Sequence, residues 1–324
     1  MKLIKKILGR LNGLYYPQEY LCLSEGSFEQ PLSVYLIING LIVEDITNHH
    51  NFVGYSPLIF ALSSSPNLSH QTEQITLAFS AKALPLNERF IKKDAVALLI
   101  MKKIKEQTTG DKPIFYFEGM NGRHQFLSRF HQFINQLQNR LYQKRPGNVF
   151  LPGNLYKQVQ IAYSIPRNIS LITLRQDGKY NLFPTDLHGP VDENYYIISL
   201  RHEGKACAQV MNVKNILVSQ VHSDLYKTVY SLGKNHMQDL KEKEKFPLTE
   251  QLSSHLQLPI PLSSVICREL ELKDHFTHGI HRVMLFKTLY QQELQPRAST
   301  LAHIHNAYAS WRHINRLKGN YLMR

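Results

Sequence analysis

The chain has 324 residues, of which 43% are hydrophobic and 19% are charged, and its formal net charge is +13. This length suits two domains of ordinary size. The composition excludes a disordered chain, because it provides enough apolar surface to offset the entropy lost on folding. The excess of positive charge favours partners that carry phosphates, such as a nucleotide-like cofactor, a nucleic acid or an anionic membrane.

Cysteine usage and the start of the chain bear on location. Three cysteines without a C-x-x-C pair argue against a disulfide framework and a zinc ribbon, so we expect a reducing, cytoplasmic location. The segment from Met1 to Leu11 is basic, and Lys5 and Lys6 interrupt its apolar residues. It therefore lacks a signal-peptide core, and a short amphipathic helix is the alternative. No apolar stretch approaches the ~20 residues that a membrane span needs, so we expect no membrane partner.

The first half of the chain begins with strand patterns. Pro31 to Val43 is rich in β-branched residues and contains the turn signal Asn39-Gly40, which predicts two short strands. Leu58 to Leu62 and Ile75 to Phe79 predict two more. Helical spacing over Asp94 to Glu106 then predicts an amphipathic helix. Its apolar residues are Val96, Leu99, Ile100 and Ile104.

Arg123 to Tyr142 has the clearest helical periodicity in the sequence. Its apolar face consists of Phe126, Phe130, Phe133, Ile134, Leu137 and Leu141. We expect these aromatic side chains to pack in a core rather than to stack on bases. Turn residues follow at Arg145 to Asn148 and at Pro152 to Asn154, and they predict a boundary between a domain of residues 1–150 and one of residues 151–324.

From Ala162 onward the sequence changes to short β-rich runs separated by turn residues. These runs are Ile169–Leu174, Tyr195–Leu200, Ile216–Val221, Ser264–Leu272 and Ile280–Tyr290. With a helical connection over Lys205 to Asn212, they predict a closed or nearly closed antiparallel barrel. Thr300 to Leu317 predicts a terminal helix.

The two halves share one weak internal echo. Asp45 to Asn48 followed by Ser56 to Leu62 has the layout of Asn181 to His188 followed by Tyr195 to Leu200. Either the first half is a degenerate copy of the second, or the similarity arose by chance.

Several segments of the second half resemble, in the right order, the FMN-binding split barrel of the flavin reductase-like family. The resemblance covers roughly residues 166–290, and residues 1–150 fall outside it. The matching segments are Ser170–Arg175, Gly178–Asn181, Leu182–Val191, Ile197–Leu200, Lys205–Cys207, Gly233–Phe246 and Gly279–Val283. Cys207 stands where the family has threonine, and Ile280 stands where it has aspartate.

The resemblance implies a fold that is mainly β with flanking helices (α+β), with a split barrel in the C-terminal half. It leaves the N-terminal half as a separate α+β domain, with the degenerate barrel copy as an option. It also implies FMN as cofactor, NAD(P)H as transient co-substrate, and a homodimer, because the family builds its flavin site at a subunit interface. The implied activity is NAD(P)H-linked flavin reduction or a related flavin-dependent redox step.

The resemblance also implies roles for individual residues. Those expected at the FMN phosphate are Arg201, His202, Lys205 and Cys207. Those expected at the ring edge are Asn181, Thr185, Asp186 and His188. His281 is the candidate catalytic residue, lining the nicotinamide pocket. The sequence contains no G-x-G-x-x-G, so a Rossmann nicotinamide site is not supported.

Alternatives remain open for several of these features. Arg201 and Lys205 could be solvated charges at a strand end, and Cys207 could be either a reactive thiol or a buried small residue. His275, His278 and His281 form a dense histidine cluster, but without a nearby carboxylate or cysteine at ligand spacing we expect no metal. The alternative functions are a non-catalytic flavin-binding protein and, as the minority reading, a basic nucleic-acid-binding β-barrel protein.

Overall fold

A computed structural model describes residues 13–63, 68–109, 112–142 and 149–322. The helix considered for the chain start and the predicted turn at residues 145–148 lie outside these residues. The chain is mainly β with flanking helices, as predicted. Within the described residues, no helix is both long enough and apolar enough to cross a membrane.

The bounds of the elements are as follows. The strands of the first half are β1 (Tyr20–Ser24), β2 (Ser33–Ile38), β3 (Leu41–Asp45), β4 (His50–Tyr55), β5 (Leu58–Ser63), β6 (Gln74–Ser80), β7 (Ala97–Thr109) and β8 (Lys112–His124). The later strands are β9 (Arg167–Asn168), β10 (Ser170–Gln176), β11 (Lys179–Thr185), β12 (His188–Pro190), β13 (Tyr195–Arg201), β14 (Asn215–Val221), β15 (Leu248–Leu252), β16 (Pro259–Pro261), β17 (Ser264–His278), β18 (His281–Glu293), β19 (Leu301–His305) and β20 (Tyr321–Leu322). The helices are α1 (Arg129–Tyr142), α2 (Leu155–Ala162), α3 (Lys205–Val213), α4 (Tyr226–Leu232) and α5 (Asn306–Ile314).

The chain folds as two compact units. Unit 1 comprises Met1–Leu21, Glu29–Ile165 and Ile304–Gly319. Unit 2 comprises Cys22–Phe28, Pro166–His303 and Asn320–Arg324. Most of unit 2 is therefore one continuous stretch, and it contains all the segments that resemble the flavin reductase-like family.

The main sheet of unit 2 is antiparallel, with the strand order β11-β10-β14-β17-β18-β13-β12. Ile172, Phe183 and Met284 are fully buried in its core, against which Val210 of α3 packs. Among the described residues, β11 and β12 are not paired with each other, so the hydrogen-bonded ladder is open between them. The structure thus has the predicted antiparallel β-rich unit, without a closed ladder.

The main sheet of unit 1 has the same strand order as that of unit 2. It runs β3-β2-β6-β7-β8-β5-β4, and all its pairs are antiparallel. Taken in chain order, β2 to β8 correspond one by one to β10, β11, β12, β13, β14, β17 and β18. The segments of the internal echo fall on corresponding elements, since residues 45–62 run from the end of β3 into β5 as residues 181–200 run from β11 into β13. The shared order favours duplication over chance.

The two sheets also begin with the same kind of turn. Asn39-Gly40 joins β2 to β3 with φ of 50° and 80°, and Asp177-Gly178 joins β10 to β11 with φ of 51° and 77°. Two consecutive left-handed residues match the twist of the flanking strands in a two-residue hairpin, and Asn, Asp and Gly adopt this conformation at low cost. The hairpin predicted over Pro31 to Val43 is confirmed.

The helix predicted over Asp94 to Glu106 is wrong, because most of this segment is strand β7. Burial alternates along it, with Ala97, Leu99 and Met101 buried and the residues between them partly exposed. β7 pairs with β6 on one side and with β8 on the other. The apolar residues that fit a helical face also fit this alternation, and pairing on both sides decides for the strand.

Helix α1 is shorter than predicted, and its aromatic face lies outward. Arg123 and His124 end β8, and the helix begins at Arg129. Phe130 and Phe133 are 65% and 58% exposed, so the core role predicted for them is wrong. The opposite face is held by amides: Gln132 Nε2 donates to the carbonyls of His124 and Leu127. Polar side chains thus attach α1 to unit 1 while its phenylalanines face solvent.

The helix predicted over Thr300 to Leu317 is half correct. Its first part is strand β19, and the helix α5 begins only at Asn306. The Nδ1 atom of His305 accepts a hydrogen bond from the Ala307 amide at 3.1 Å and so caps the helix start. A histidine cap carries no strong sequence signal, which explains why the boundary was missed.

Candidate functional site

The start of helix α3 is a corner of unit 2 that carries two exposed cations, Arg201 and Lys205, together with the carboxylates of Glu203 and Asp239. Strand β13 ends at Arg201, and the helix begins at Lys205 after Gly204, whose extended backbone makes no side-chain cap. A Cβ atom at Gly204 would lie 3.2 Å from the Arg201 carbonyl oxygen, so glycine suits this tight approach. Both Arg201 and Lys205 are exposed. A helix N-terminus with backbone N–H groups that no side chain caps, flanked by two cations, is suited to an anion.

Lys205 has a partner in this structure. Its Nζ atom lies 2.8 Å from both carboxylate oxygens of Asp239. The two side chains are 50% and 83% exposed, and such surface pairs contribute about 0–1 kcal/mol to stability. A phosphate dianion could therefore replace Asp239 at small cost.

Cys207 is part of the core rather than of the open corner. It is 1% exposed and packs in the cluster that contains Ile172 and Met284. Burial raises the pKa of its thiol, so the side chain stays protonated and unreactive at neutral pH. The structure therefore favours the buried small residue over the reactive thiol, and we assign Cys207 no ligand contact.

Asn181 is fully engaged by the protein. Its Nδ2 atom donates to Gln209 Oε1 at 2.7 Å and to the Asn235 carbonyl at 3.2 Å, and its Oδ1 atom accepts from the Leu182 amide. Asn235 in turn donates from Nδ2 to the Leu182 carbonyl at 2.8 Å. Asn181 therefore ties β11 to the turn that contains Asn235, and a ligand would have to displace these bonds to reach it.

His188 is also engaged through both ring nitrogens. Nε2 lies 3.0 Å from the Asn168 carbonyl, which can only accept, so Nε2 carries the proton. Nδ1 then accepts from the Tyr196 hydroxyl at 2.7 Å. Burial lowers the pKa of His188 to about 4, consistent with this neutral form. Its neighbour Thr185 accepts a hydrogen bond of 3.4 Å from the Leu187 amide.

Asp186 joins a hydrogen-bonded chain that the sequence did not predict. Its Oδ2 atom accepts from Nδ1 of His303 at 2.7 Å, and Nε2 of His303 lies 2.6 Å from the Tyr230 hydroxyl. The carboxylate also raises the pKa of His188, His236 and His281, although burial outweighs this influence at each of them. Asp186 is thus an anionic centre among histidines.

His281 lies opposite Arg201 in the β13–β18 ladder and is 1% exposed. Its Nδ1 atom is 3.3 Å from the Ser199 hydroxyl. Burial, followed by the positive charge of Arg201, lowers the pKa of His281 to about 3. The imidazole is therefore neutral at physiological pH, able to orient a partner by hydrogen bonding but not to serve as a cationic acid.

The same corner includes His236, which the sequence also missed. Its Nε2 atom donates to the Pro184 carbonyl at 2.7 Å, and burial lowers its pKa, with Arg201 acting in the same direction. Of the predicted residues, the structure brings Asp186 and Arg201 within electrostatic range of His281. His202, whose charge acts on His281, lies beside them. Asn181, His188 and Cys207 support the surrounding framework.

Comparison with known proteins finds similarity among solved structures. No family model and no curated protein matches the chain. An FMN-binding protein from Thermus thermophilus with bound p-hydroxybenzaldehyde is 16% identical, with 56% of this chain and 95% of that chain covered and a TM-score of 0.42. An NADH:FAD oxidoreductase from Streptomyces globisporus is 12% identical, with 50% and 96% covered and a TM-score of 0.42. The flavin reductase component of a bacterial two-component tryptophan halogenase is 12% identical, with 52% and 98% covered and a TM-score of 0.42.

About half of the chain is thus similar to FMN-binding and flavin reductase proteins. The sequence resemblance over residues 166–290 points to proteins of the same kind.

A second concave feature of unit 2 lies beside helix α4. It is a groove of about 660 Å³, lined in part by Thr228, Ser231, Lys234, Lys241, Lys245 and Phe246.

In the histidine cluster that the sequence suggested, His278 and His281 face each other across the β17–β18 hairpin. Over the residues that the structure describes, no group of three or more His, Cys, Asp or Glu side chains is arranged to hold a metal ion.

Proposed function

We propose that unit 2 binds FMN and that the chain carries out NAD(P)H-linked flavin reduction or a related flavin-dependent redox reaction. The observation that carries this proposal is the corner at the start of α3, where Arg201 and Lys205 flank a helix N-terminus that no side chain caps. Here the sequence resembles the phosphate-binding segment of the flavin reductase-like family. Two cations and backbone N–H groups supply the donors that a dianionic phosphate needs.

The residues of this corner fit the phosphate end of FMN better than its ring edge. Arg201 and Lys205 are exposed, and the partner of Lys205 is a weakly held surface carboxylate. At the predicted ring edge, the polar side-chain atoms of Asn181 and His188 are already hydrogen-bonded to other groups of the protein. We therefore expect Thr185 and Asp186 to be the residues nearest the ring, with backbone groups supplying further contacts and the buried His281 behind them.

Bound FMN would supply hydride chemistry at its own ring, so the chain has to provide binding, orientation and electrostatics. Arg201 and Lys205 would neutralise the phosphate charge. His281, buried and held neutral, would support the strand that carries Arg201 rather than contact the co-substrate or deliver a proton. Asp186 would keep a negative charge near the site, fixed in direction by His303.

The phosphate assignment is tested by measuring FMN affinity through the quenching of flavin fluorescence. Arg201→Ala and Lys205→Ala should each weaken binding by about tenfold, because each removes one charge-assisted contact to phosphate. Lys179→Ala is the matched control, since Lys179 is an exposed lysine of unit 2 at the other end of β11. A protein that binds no flavin, or two variants with unchanged affinity, would overturn the proposal.

A non-catalytic flavin-binding protein is the second candidate, and the engaged side chains of Asn181 and His188 favour it, because they leave few groups to act on a substrate. Oxidation of NADH or NADPH that depends on added FMN would separate the enzyme from the binder.

The proposed function includes a homodimer, which light scattering at known protein concentration tests. It also includes a cytoplasmic location, in keeping with three cysteines that are all buried.

A further inference from the structure

The groove beside α4 is formed by three adjacent segments of unit 2. Thr228 and Ser231 lie one helical turn apart on α4, and Lys234 and Asn235 follow in the 3-10 turn after it. The third segment contributes Lys241, Glu242, Lys245, Phe246 and Pro247. Leu232 and Phe246 are buried at its base. Asn235 is fixed by its bonds to Asn181 and Leu182, so the turn after α4 is anchored to strand β11.

Positive charge dominates the groove. Lys234, Lys241 and Lys245 line it, against the single carboxylate of Glu242. Lys241 donates from Nζ to the neutral Gln238 side chain. In the part of the chain that the structure describes, none of the three lysines forms an ion pair, whereas Lys243 in the same segment pairs with Glu250 at 2.6 Å. An anionic ligand would therefore meet lysines whose charge no carboxylate partner neutralises.

The groove adjoins the proposed flavin site. The segment that supplies Lys234 and Asn235 continues to His236, which interacts with Arg201, and to Asp239, which pairs with Lys205. A ligand in the groove and one at the start of α3 would thus both border the segment of residues 234–241.

We propose that this groove binds the adenosine end of a phosphorylated nicotinamide dinucleotide, with its lysines on the 2′-phosphate, so that the co-substrate is NADPH rather than NADH. The volume suits a nucleotide, the apolar base suits an adenine ring, and the cations suit a phosphate monoester that NADH lacks. This inference rests on the proposed function, because only a flavin-linked reaction gives a dinucleotide a role here.

Calorimetric titration of the full chain with 2′,5′-ADP and with 5′-AMP tests the groove without any redox reaction. We expect 2′,5′-ADP to bind about tenfold more tightly, and Lys234→Ala and Lys245→Ala to reduce that difference. Both lysines are exposed, so neither substitution threatens the fold. Lys243→Ala is the matched control, because Lys243 belongs to the same segment but not to the lining, and it should leave both affinities unchanged.

Equal affinity for the two nucleotides, or a difference that survives both groove substitutions, would overturn the inference, as would displacement of 2′,5′-ADP by FMN. The flavin absorbance of the same sample separates the two proposals. Flavin retained without preference for 2′,5′-ADP refutes only the groove assignment. Absence of bound flavin at saturating FMN refutes the proposed function and with it the NADPH reading.

The duplicated strand order carries a second inference independently. In unit 2 the connection from β13 to β14 contains the α3 start with Arg201 and Lys205. The corresponding connection in unit 1, from β5 to β6, is residues 64–73, which contain neither Arg nor Lys. The described part of it, residues 68–73, contains no helix. Among the residues that the structure describes, unit 1 thus repeats the sheet without a cationic helix start.

From this difference we infer that each chain binds one flavin, in unit 2 alone. Titration of a known chain concentration with FMN should saturate at one equivalent, and the double variant Arg201→Ala, Lys205→Ala should leave no second saturable site. Two equivalents per chain would overturn this inference and leave the proposed function standing. No binding at all would overturn both.

Discussion

At the scale of single residues, the candidate site is marked by histidines that burial keeps neutral. The pKa of His188 is lowered to about 4 and that of His281 to about 3, in each case mainly because the charged form would be desolvated. Neutral imidazoles can donate and accept hydrogen bonds without adding charge. Here they fix the strands around the site through hydrogen bonds to Tyr196, Asn168 and Ser199 rather than transfer protons.

These histidines make the stability of the fold depend on pH. Because their folded pKa values lie below the unfolded value of about 6.5, the unfolded chain binds more protons, and stability present above that pH is lost as the pH falls towards 4 and then 3. We expect the free energy of unfolding, measured by urea denaturation, to fall by a few kcal/mol over this range. His281→Gln should flatten the dependence. The same slope in this variant as in the parent chain would contradict the assignment.

Local sequence could predict only part of this site. Arg201 and Lys205 follow a strand and open a helix, so their neighbourhood in sequence is also their neighbourhood in space. His303 contacts Asp186 and Tyr230, which are 117 and 73 residues away along the chain. No local sequence pattern predicts such contacts, because His303 lies on β19, Tyr230 on α4 and Asp186 just after β11, and only folding brings these elements together.

At the scale of elements, α1 has the opposite orientation from the one its periodicity predicts. Gln132, Gln136 and Asn139 donate to backbone carbonyls of neighbouring segments, while Phe130 and Phe133 remain exposed. An amphipathic pattern indicates that one face is apolar, and it cannot indicate whether that face is covered within the same unit.

The orientation of α1 predicts that removing its phenylalanines costs little stability. In the double variant Phe130→Ser, Phe133→Ser, we expect the free energy of unfolding to change by less than about 0.5 kcal/mol, as for ordinary surface substitutions. Binding of the hydrophobic dye ANS should decrease. Phe126→Ala is the contrasting control: Phe126 is buried, and its truncation should cost roughly 3–5 kcal/mol. Large destabilisation in the double variant would show that the face is packed.

The strands were predicted better than the helices for a physical reason. Short β runs bounded by Gly, Asn and Pro carry their own turn chemistry, as in the β2–β3 and β10–β11 hairpins. Strand β7 was mistaken for a helix because its apolar residues satisfy both periodicities. Its two hydrogen-bonded neighbours, β6 and β8, lie in separate stretches of sequence, so no local pattern shows that both pair with it.

At the scale of the whole molecule, one strand order is used twice. The hairpin turns that begin each sheet match closely, with Gly40 and Gly178 at φ of 80° and 77°. A Cβ atom at either glycine would meet nothing within 4 Å, so any cost of adding one comes from the backbone alone. The equivalence of the two units can therefore be tested at these positions.

We expect Gly40→Ala and Gly178→Ala to destabilise the protein by similar amounts, about 1 kcal/mol each, because a side chain disfavours the left-handed conformation. Differential scanning calorimetry of both variants would measure this. Gly233→Ala is the control: Gly233 has φ of −56° and also has open space around its Cα, so alanine there should be neutral or slightly stabilising. Unequal losses at the two turns would argue against equivalence.

The sequence carried only a trace of this repetition. The echo between residues 45–62 and 181–200 marks corresponding strands, but the connections after them differ in length and content. Strand order is set by long-range pairing, which many sequences satisfy, so two copies can keep a topology after their residues have diverged.

An open ladder leaves outer strands whose backbone could recruit a further strand from another molecule. In unit 2 the outer strands β11 and β12 carry Pro184 and Pro190, which lack the N–H group that such recruitment requires. In unit 1 the outer strand β3 ends in Glu44 and Asp45, and β4 has an irregular register before Gly54. Each of these edge strands thus carries a feature that discourages fibril-like stacking. A chain with two such sheets has four edge strands to protect.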